Sequence, residues 1–188
     1  MVAVAMADET EPQRIARALR RKDPDFIDGL VSQYHYRLLR YLTFLTSRRE
    51  QAEDLVQETW LRVLERAWQY NGSSRFEPWL FAIARNLAMD DLRKRERTAS
   101  DTVGECSASG DDSPFRAAAK SEDAMRISAA LGALEPIYRE ALLLRFQEDL
   151  SLAEIAEVAG APVATVSSRI QRGLAMLRGG LEGNSNAI

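Results

Sequence analysis

The chain has 188 residues, a formal net charge of −3, one cysteine and one histidine. That length fits one domain or two small ones, and the mild acidity excludes a polycation that coats nucleic acid indiscriminately. With only Cys106 and His35, an intrachain disulfide and Cys or His metal clusters are excluded and histidine-based catalysis is not expected; with the common enzyme motifs also absent, no metal, no cofactor and no enzyme are expected.

The opening MVAVAMADETEP lacks a basic region followed by a long apolar run, so no signal peptide is expected. No apolar stretch approaches the ~20 residues needed to span a bilayer, which points to a cytoplasmic protein without membrane insertion. Helical periodicity runs nearly throughout and strand signals are almost absent. A first helix is predicted over Glu11 to Arg21. Asp23-Pro24, an N-cap followed by a first-turn proline, opens a long helix to about Thr46; His35 reads as an ordinary residue within it.

The clearest helix is predicted over Gln51 to Gln69. Leu55, Val56, Thr59, Trp60, Val63, Leu64, Ala67 and Trp68 form its broad buried stripe. The opposite face carries Asp54, Gln57, Glu58, Leu61, Arg62, Glu65 and Arg66, and Leu61 is a large apolar residue where solvent is expected. Glu53, Asp54 and Glu58 do not share one face, so they read as a solvated acidic surface or a surface for a basic partner, as do Asp90 and Asp91.

Tyr70-Asn71-Gly72-Ser73-Ser74 interrupts the pattern as a turn. The next helix is predicted from about Pro78 to Arg95, with Leu80, Ile83, Ala84 and Leu87 inward. Ser74 to Glu77 resembles a capping box, but that start would place Pro78 one turn in, where its missing N–H loses a helix bond. Tyr70, Phe76 and Trp79, with small polar groups, Arg75 and Asn86, have the composition of a single-strand base pocket, which needs π surfaces and edge-reading groups. The same aromatics are equally the residues of a plain core. Arg93-Lys94-Arg95, extended by Arg97, makes a local basic cluster.

From Glu96 to Asp123 seven acids face three bases, and Val103 and Phe115 are the only large aliphatic or aromatic residues. Such a stretch buries too little to offset its ordering entropy and reads as a flexible linker; Cys106 within it reads as an exposed thiol. Helices follow over Ala124 to Leu134 and Pro136 to Phe146. Ser151 with Glu154 then caps a short helix carrying Leu152, Ile155, Ala156 and Ala159 on one face, and Gly160 supplies the left-handed end. Pro162 opens a second helix with Val166, Ile170, Leu174 and Leu177 inward and Thr165, Ser167, Ser168, Arg169, Gln171 and Arg172 outward. No acid lies between Pro162 and Arg178. This is a candidate helix-turn-helix for major-groove edges and phosphates; a helical hairpin with a solvated basic face is the plainer alternative.

These elements give an all-α fold: two small helical domains, 10–97 and 121–181, joined by a flexible linker over 98–120, the second domain a helix-turn-helix. No P-loop, dinucleotide fingerprint, HExxH or nucleophile elbow is present.

DLVQETWLRVLERAWQYNGSSRFEPWLFAIARNLAMDDLRKR (Asp54 to Arg95) resembles the core of region 2 in extracytoplasmic function (group 4) sigma factors, and LEPIYREALLLRFQEDLSLAEIAEVAGAPVATVSSRIQRGLAMLR (Leu134 to Arg178) resembles their region 4. The resemblance implies a dissociable initiation subunit of bacterial core RNA polymerase serving a stress- or signal-responsive regulon. It implies docking on the β′ clamp through Asp54, Gln57, Glu58, Leu61 and Arg62, with a second contact to the β flap. It implies capture of a single-stranded −10 element by Asn71, Gly72, Ser73, Ser74, Arg75, Phe76 and Asn86, with Arg93, Lys94 and Arg95 on phosphates. Thr165, Ser167, Ser168, Arg169, Gln171 and Arg172 would read the −35 element as duplex, and an anti-sigma factor would hold the free protein. Ser167 and Gln171 depart from relatives that carry an arginine and an aromatic there, so those relatives' promoter sequence is not carried over. The rival readings are a helix-turn-helix regulator that acts without joining polymerase, and a sigma-mimicking adaptor that does not bind DNA.

Overall fold

The computed structural model describes residues 9–101 and 122–185, and among them the regular structure is helical. Helix α1 (Glu11–Arg21) is followed by α2 (Pro24–Thr46), α3 (Arg49–Glu65), a 3₁₀ turn (Ala67–Gln69) and α4 (Phe76–Asp101). After residues 102–121 come α5 (Glu122–Ala133), α6 (Pro136–Phe146), α7 (Leu152–Ala159) and α8 (Val163–Ser185). The Asp23 carboxylate accepts the Phe26 N–H at 3.3 Å and starts α2 where its sequence pattern places it. The Ser151 hydroxyl accepts the Glu154 N–H at 3.2 Å while the Glu154 carboxylate accepts the Ser151 N–H at 2.7 Å. Gly160 at φ +58° closes α7 in the left-handed region.

In the N-terminal half α2, α3 and α4 pack on one another, with α1 lying across the 3₁₀ turn and α2. Leu38, Leu42, Val56, Val63, Leu80, Phe81 and Ala84 fill that bundle. In the C-terminal half α5, α6 and α7 pack on α8 around Leu142, Leu144, Leu150, Ile155, Val166 and Ile170. A Cβ on buried Gly173 would lie 3.0 Å from Leu142 Cδ1, so this glycine lets α8 approach α6 closely.

Four expectations change. Helix α4 starts at Phe76 and not at Pro78. Pro78 then sits third in the helix, where an N–H has no intrahelical acceptor anyway, so the proline costs nothing there. The α3 stripe ends early: the chain tightens into the 3₁₀ turn after Arg66, and the changed residue rotation turns Trp68 outward to 72% exposure. Helix α8 starts at Val163, with the Pro162 carbonyl accepting the Val166 N–H as an N-cap does. Helix α4 also continues to Asp101, past the predicted end at Arg95 and into the first residues of the stretch read as linker. Residues 102–121 of that stretch, with Cys106, lie outside the described residues, and Glu122 and Asp123 at its end open α5.

The two halves are not merely tethered. Helix α4 packs along α7, α2 touches α6, and the buried apolar residues of both halves form one cluster.

Candidate nucleic-acid and protein interfaces

On the outward face of α3 Asp54 and Gln57 are exposed and Glu58 and Arg62 half-buried. Leu61 stands 57% exposed among them. Arg62 pairs with Glu58 at 2.7 Å and approaches Glu65 at 3.6 Å, while Glu53 pairs with Arg49 at 3.0 Å. Glu53, Glu58 and Glu65 are therefore answered by cations about one turn away. Among the described residues no group of three His, Cys, Asp or Glu could hold a metal ion. An open groove of about 600 Å³ runs between this face and α4, lined by Leu55, Glu58 and Arg62 of α3 and by Leu87, Asp90, Asp91, Arg93, Lys94 and Arg97 of α4. Trp68 was hidden from sequence reasoning by its place in the apolar stripe.

The turn after α3 is built on an aromatic cluster. Tyr70 stacks on Trp79 at 5.2 Å between centroids and meets Phe76 edge-on at 5.3 Å; Phe76 in turn meets Tyr34 edge-on at 5.5 Å. The Tyr70 hydroxyl donates to the Ser74 carbonyl at 2.7 Å, and Arg20 donates to the Tyr70 carbonyl at 3.1 Å. Burial, reinforced by Glu77, pushes the Tyr70 hydroxyl up to about 12, so it stays a proton donor at neutral pH. Gly72 has φ +75°, and a Cβ there would lie 2.8 Å from Gln13 Cα and from the Pro12 carbonyl oxygen. Only glycine fits this seat of the turn against α1.

This construction divides the expected base-reading residues. Asn71, Ser73, Ser74 and Arg75 are exposed on the turn. Phe76, 1% exposed, offers no ring face to a ligand and belongs to the foundation together with buried Gly72. Asn86 is exposed ten residues beyond Phe76 on α4, a rise of about 15 Å. Further along, Arg93 pairs with Asp90 at 3.2 Å and Arg95 with Asp91 at 3.0 Å, and Lys94 is exposed between them. The Gln51 amide also donates to Asp91.

On α8, Gln171 and Arg172 are exposed, and Thr165, Ser167, Ser168 and Arg169 are half-buried. Thr165, Ser168, Arg169 and Arg172 line an open groove of about 480 Å³ with Ile137 and Tyr138 of α6. No ion pair among the described residues involves Arg169, Arg172 or Arg178. A run of unanswered guanidinium groups on an acid-free helix suits phosphates and base edges.

Between the halves the electrostatics are the reverse. The Glu140 carboxylate of α6 accepts from the Tyr41 hydroxyl and from Arg85 Nε, each at 2.8 Å. Glu148, after α6, accepts from Arg37 Nε at 2.7 Å and Arg40 Nη2 at 2.9 Å. Burial and the Glu140 carboxylate hold the Tyr41 hydroxyl well above the usual tyrosine range, which keeps it a donor. The Arg139 guanidinium sits 4.6 Å from the Phe44 ring centroid and caps α5 through the Gly132 and Leu134 carbonyls. Arg75, from the turn, donates to the Asp149 carbonyl at 3.1 Å and lies 3.7 Å from Glu154 of α7.

Known proteins supply the context for these surfaces. The Sigma-70 region 2 profile matches residues 30–98 and the Sigma-70 region 4 profile matches residues 124–177. The chain is 30% identical over 177 residues to the RNA polymerase sigma-H factor of Pseudomonas aeruginosa, covering 89% of this chain and 92% of that one. It is 36% identical over 154 residues to the ECF RNA polymerase sigma factor SigE of Mycolicibacterium smegmatis, covering 80% of this chain and 60% of that longer one. Among solved structures it resembles the sigma factor RpoE of Bartonella quintana, crystallised with the anti-sigma factor NepR. The TM-score there is 0.72 at 29% identity, covering 84% of this chain and 97% of that one. With both halves matched and in the same order, the chain belongs to the extracytoplasmic function family of RNA polymerase sigma factors.

Proposed function

We propose that this sigma factor docks on bacterial core RNA polymerase through the outward face of α3 and reads a promoter at two places. The single observation that carries the DNA-reading half is the unanswered arginine face of α8 above its groove. Ser167, Ser168, Arg169, Gln171 and Arg172 read the −35 element as duplex, with Thr165 at the edge of the same face. Asn71, Ser73, Ser74 and Arg75 take an unpaired −10 base on the rigid turn, which Gly72 and Phe76 support from beneath; Asn86, Arg93, Lys94 and Arg95 follow the strand along α4. Exposed Leu61 is the apolar anchor toward the β′ clamp, flanked by Asp54, Gln57, Glu58 and Arg62. The C-terminal half contacts the β flap. The complex named for the Bartonella relative supports an anti-sigma factor as the partner of the free protein.

Two modest DNA contacts on one chain, both held by polymerase, gain effective concentration more than intrinsic affinity. The test is transcription in vitro with purified core polymerase over a genomic promoter library. Initiation from a coherent promoter set that depends on this chain is the expected result. Promoter binding by the isolated chain without any initiation would favour a regulator that never joins polymerase. Core-polymerase binding that survives loss of Arg169 and Arg172 without any DNA dependence would favour an adaptor.

A further inference from the structure

Trp68 stands outside both the core and the residues assigned above to polymerase and to the −10 strand. At 72% exposure it is the most exposed large apolar side chain among the described residues. An aromatic side chain has about 150–250 Å² to bury, so leaving most of a tryptophan in water forfeits stabilisation. The fold takes its own contacts at this turn from the neighbours, since Ala67 and Tyr70 are both buried.

The indole projects from a fixed support. The Arg66 N–H donates to the Arg62 carbonyl at 3.0 Å, and the Gln69 N–H donates to the Arg66 carbonyl at 2.8 Å. On the far side Arg20 of α1 donates to the Tyr70 carbonyl, and the Tyr70 ring stacks on Trp79. A tryptophan side chain has only two torsions to order, so a ligand that covers this ring meets a surface already in place.

The surroundings select the kind of ligand. No acid lies between Arg66 and Arg75. Along that stretch Arg66, Gln69, Asn71, Ser73, Ser74 and Arg75 are exposed with Trp68. An aromatic face among amides, hydroxyls and guanidinium groups, without a carboxylate, suits a single nucleic-acid strand: bases stack on the ring and phosphates approach the cations. The outward face of α3 has a different character, with Glu58 and Glu65 both beside Arg62. Position adds continuity with the −10 turn. Trp68 precedes Asn71 by three residues, at most about 11 Å of chain, which matches about three steps of stacked bases at 3.4 Å each.

We infer that Trp68 is a base-stacking residue: its indole takes a base of the unpaired strand near the one held at the −10 turn, and so keeps that strand out of the duplex. The inference rests on the proposed −10 assignment for the path of the strand. Every base has a π face, so this contact adds affinity for the open strand without reading its sequence.

The test uses the full chain assembled with core polymerase and a forked fragment of a promoter at which it initiates. The −10 strand is unpaired and carries 2-aminopurine at one position at a time. In the wild type one position near the captured base should be quenched by stacking. Trp68→Leu, which keeps an apolar side chain but no π face, should abolish that quenching and lower affinity for the forked fragment about tenfold. Trp68→Phe should retain most of both, and all three proteins should bind core polymerase equally and melt at the same temperature. Equal quenching and fork affinity in wild type and Trp68→Leu overturn the inference. Weaker core-polymerase binding by Trp68→Leu, with fork affinity of the assembled enzyme unchanged, also overturns it and makes Trp68 a polymerase contact. Arg75→Ala, measured in parallel, judges the −10 assignment separately. Fork affinity that falls with Arg75→Ala but not with Trp68→Leu sinks the stacking alone; the converse keeps the stacking and sinks the assigned path.

Discussion

The face between the two halves and the outward face of α8 treat their charges in opposite ways. Between the halves every charge described is answered: Glu140 by Arg85 and Tyr41, Glu148 by Arg37 and Arg40, Arg75 by the Asp149 carbonyl. On the outward faces of α3 and α8, Leu61 stands in solvent and Arg169, Arg172 and Arg178 make no ion pair with a described residue. A buried charge must be paired because desolvation is otherwise uncompensated. An exposed apolar or unpaired cationic side chain is under no such pressure, so it marks surface available to a partner. On α8 the unanswered arginines separate what the molecule offers from what holds it together; along α3 and α4 the outward charges are themselves paired, Arg62 with Glu58 and Arg93 with Asp90, and exposed Leu61 is what marks α3.

The largest expected effect breaks the inward face. Phe81→Ala removes a fully buried ring that meets Tyr41 edge-on at 5.1 Å, where Tyr41 bonds Glu140, and should destabilise the fold by about 3–5 kcal/mol in urea or thermal unfolding. The next strikes the outward face and should leave stability alone. Leu61→Glu should weaken core-polymerase binding by about 2 kcal/mol or more while circular dichroism and the melting temperature stay unchanged; a matching loss of stability would move Leu61 into the core class.

Arg169→Ala sharpens the comparison on the DNA side. It should cost about 1–3 kcal/mol of promoter use with a base-dependent pattern across promoter variants. Uniform loss over all of them would make it a phosphate anchor. The smallest effect is expected at Arg93, which already has Asp90 beside it. Arg93→Ala should change stability by less than about 1 kcal/mol, as an exposed ion pair does, and alter promoter binding through a shallower salt dependence. A large, salt-insensitive effect there would erase the distinction between answered and unanswered arginines.

Much of this arrangement is legible in the sequence wherever local chemistry decides it. Asp23-Pro24, Ser151 with Glu154, and Gly160 place helix ends because their side chains or backbone freedom satisfy terminal groups without help from elsewhere. The errors have equally local causes. Pro78 looked excluded because a capping box counted from Ser74 places it a full turn in, whereas the helix starts at Phe76 and makes it third, and Trp68 looked buried because an α-helical period was extended through a 3₁₀ turn. The aromatic turn was legible only as a composition. Whether Phe76 faced a ligand or the core depended on Tyr34, more than forty residues earlier, whose ring closes over it.

By itself, then, the sequence determined an all-helical chain in two units, the helix-turn-helix with its acid-free face, and the odd exposure of Leu61, since periodicity and capping act over a few residues. Tertiary structure alone decided that the units close on each other. Glu140 and Glu148 look like ordinary surface acids in their own helix and turn, and their partners lie 55 to 111 positions away. Nothing in a local pattern distinguishes a solvated carboxylate from one that two arginines of a different helix will bury.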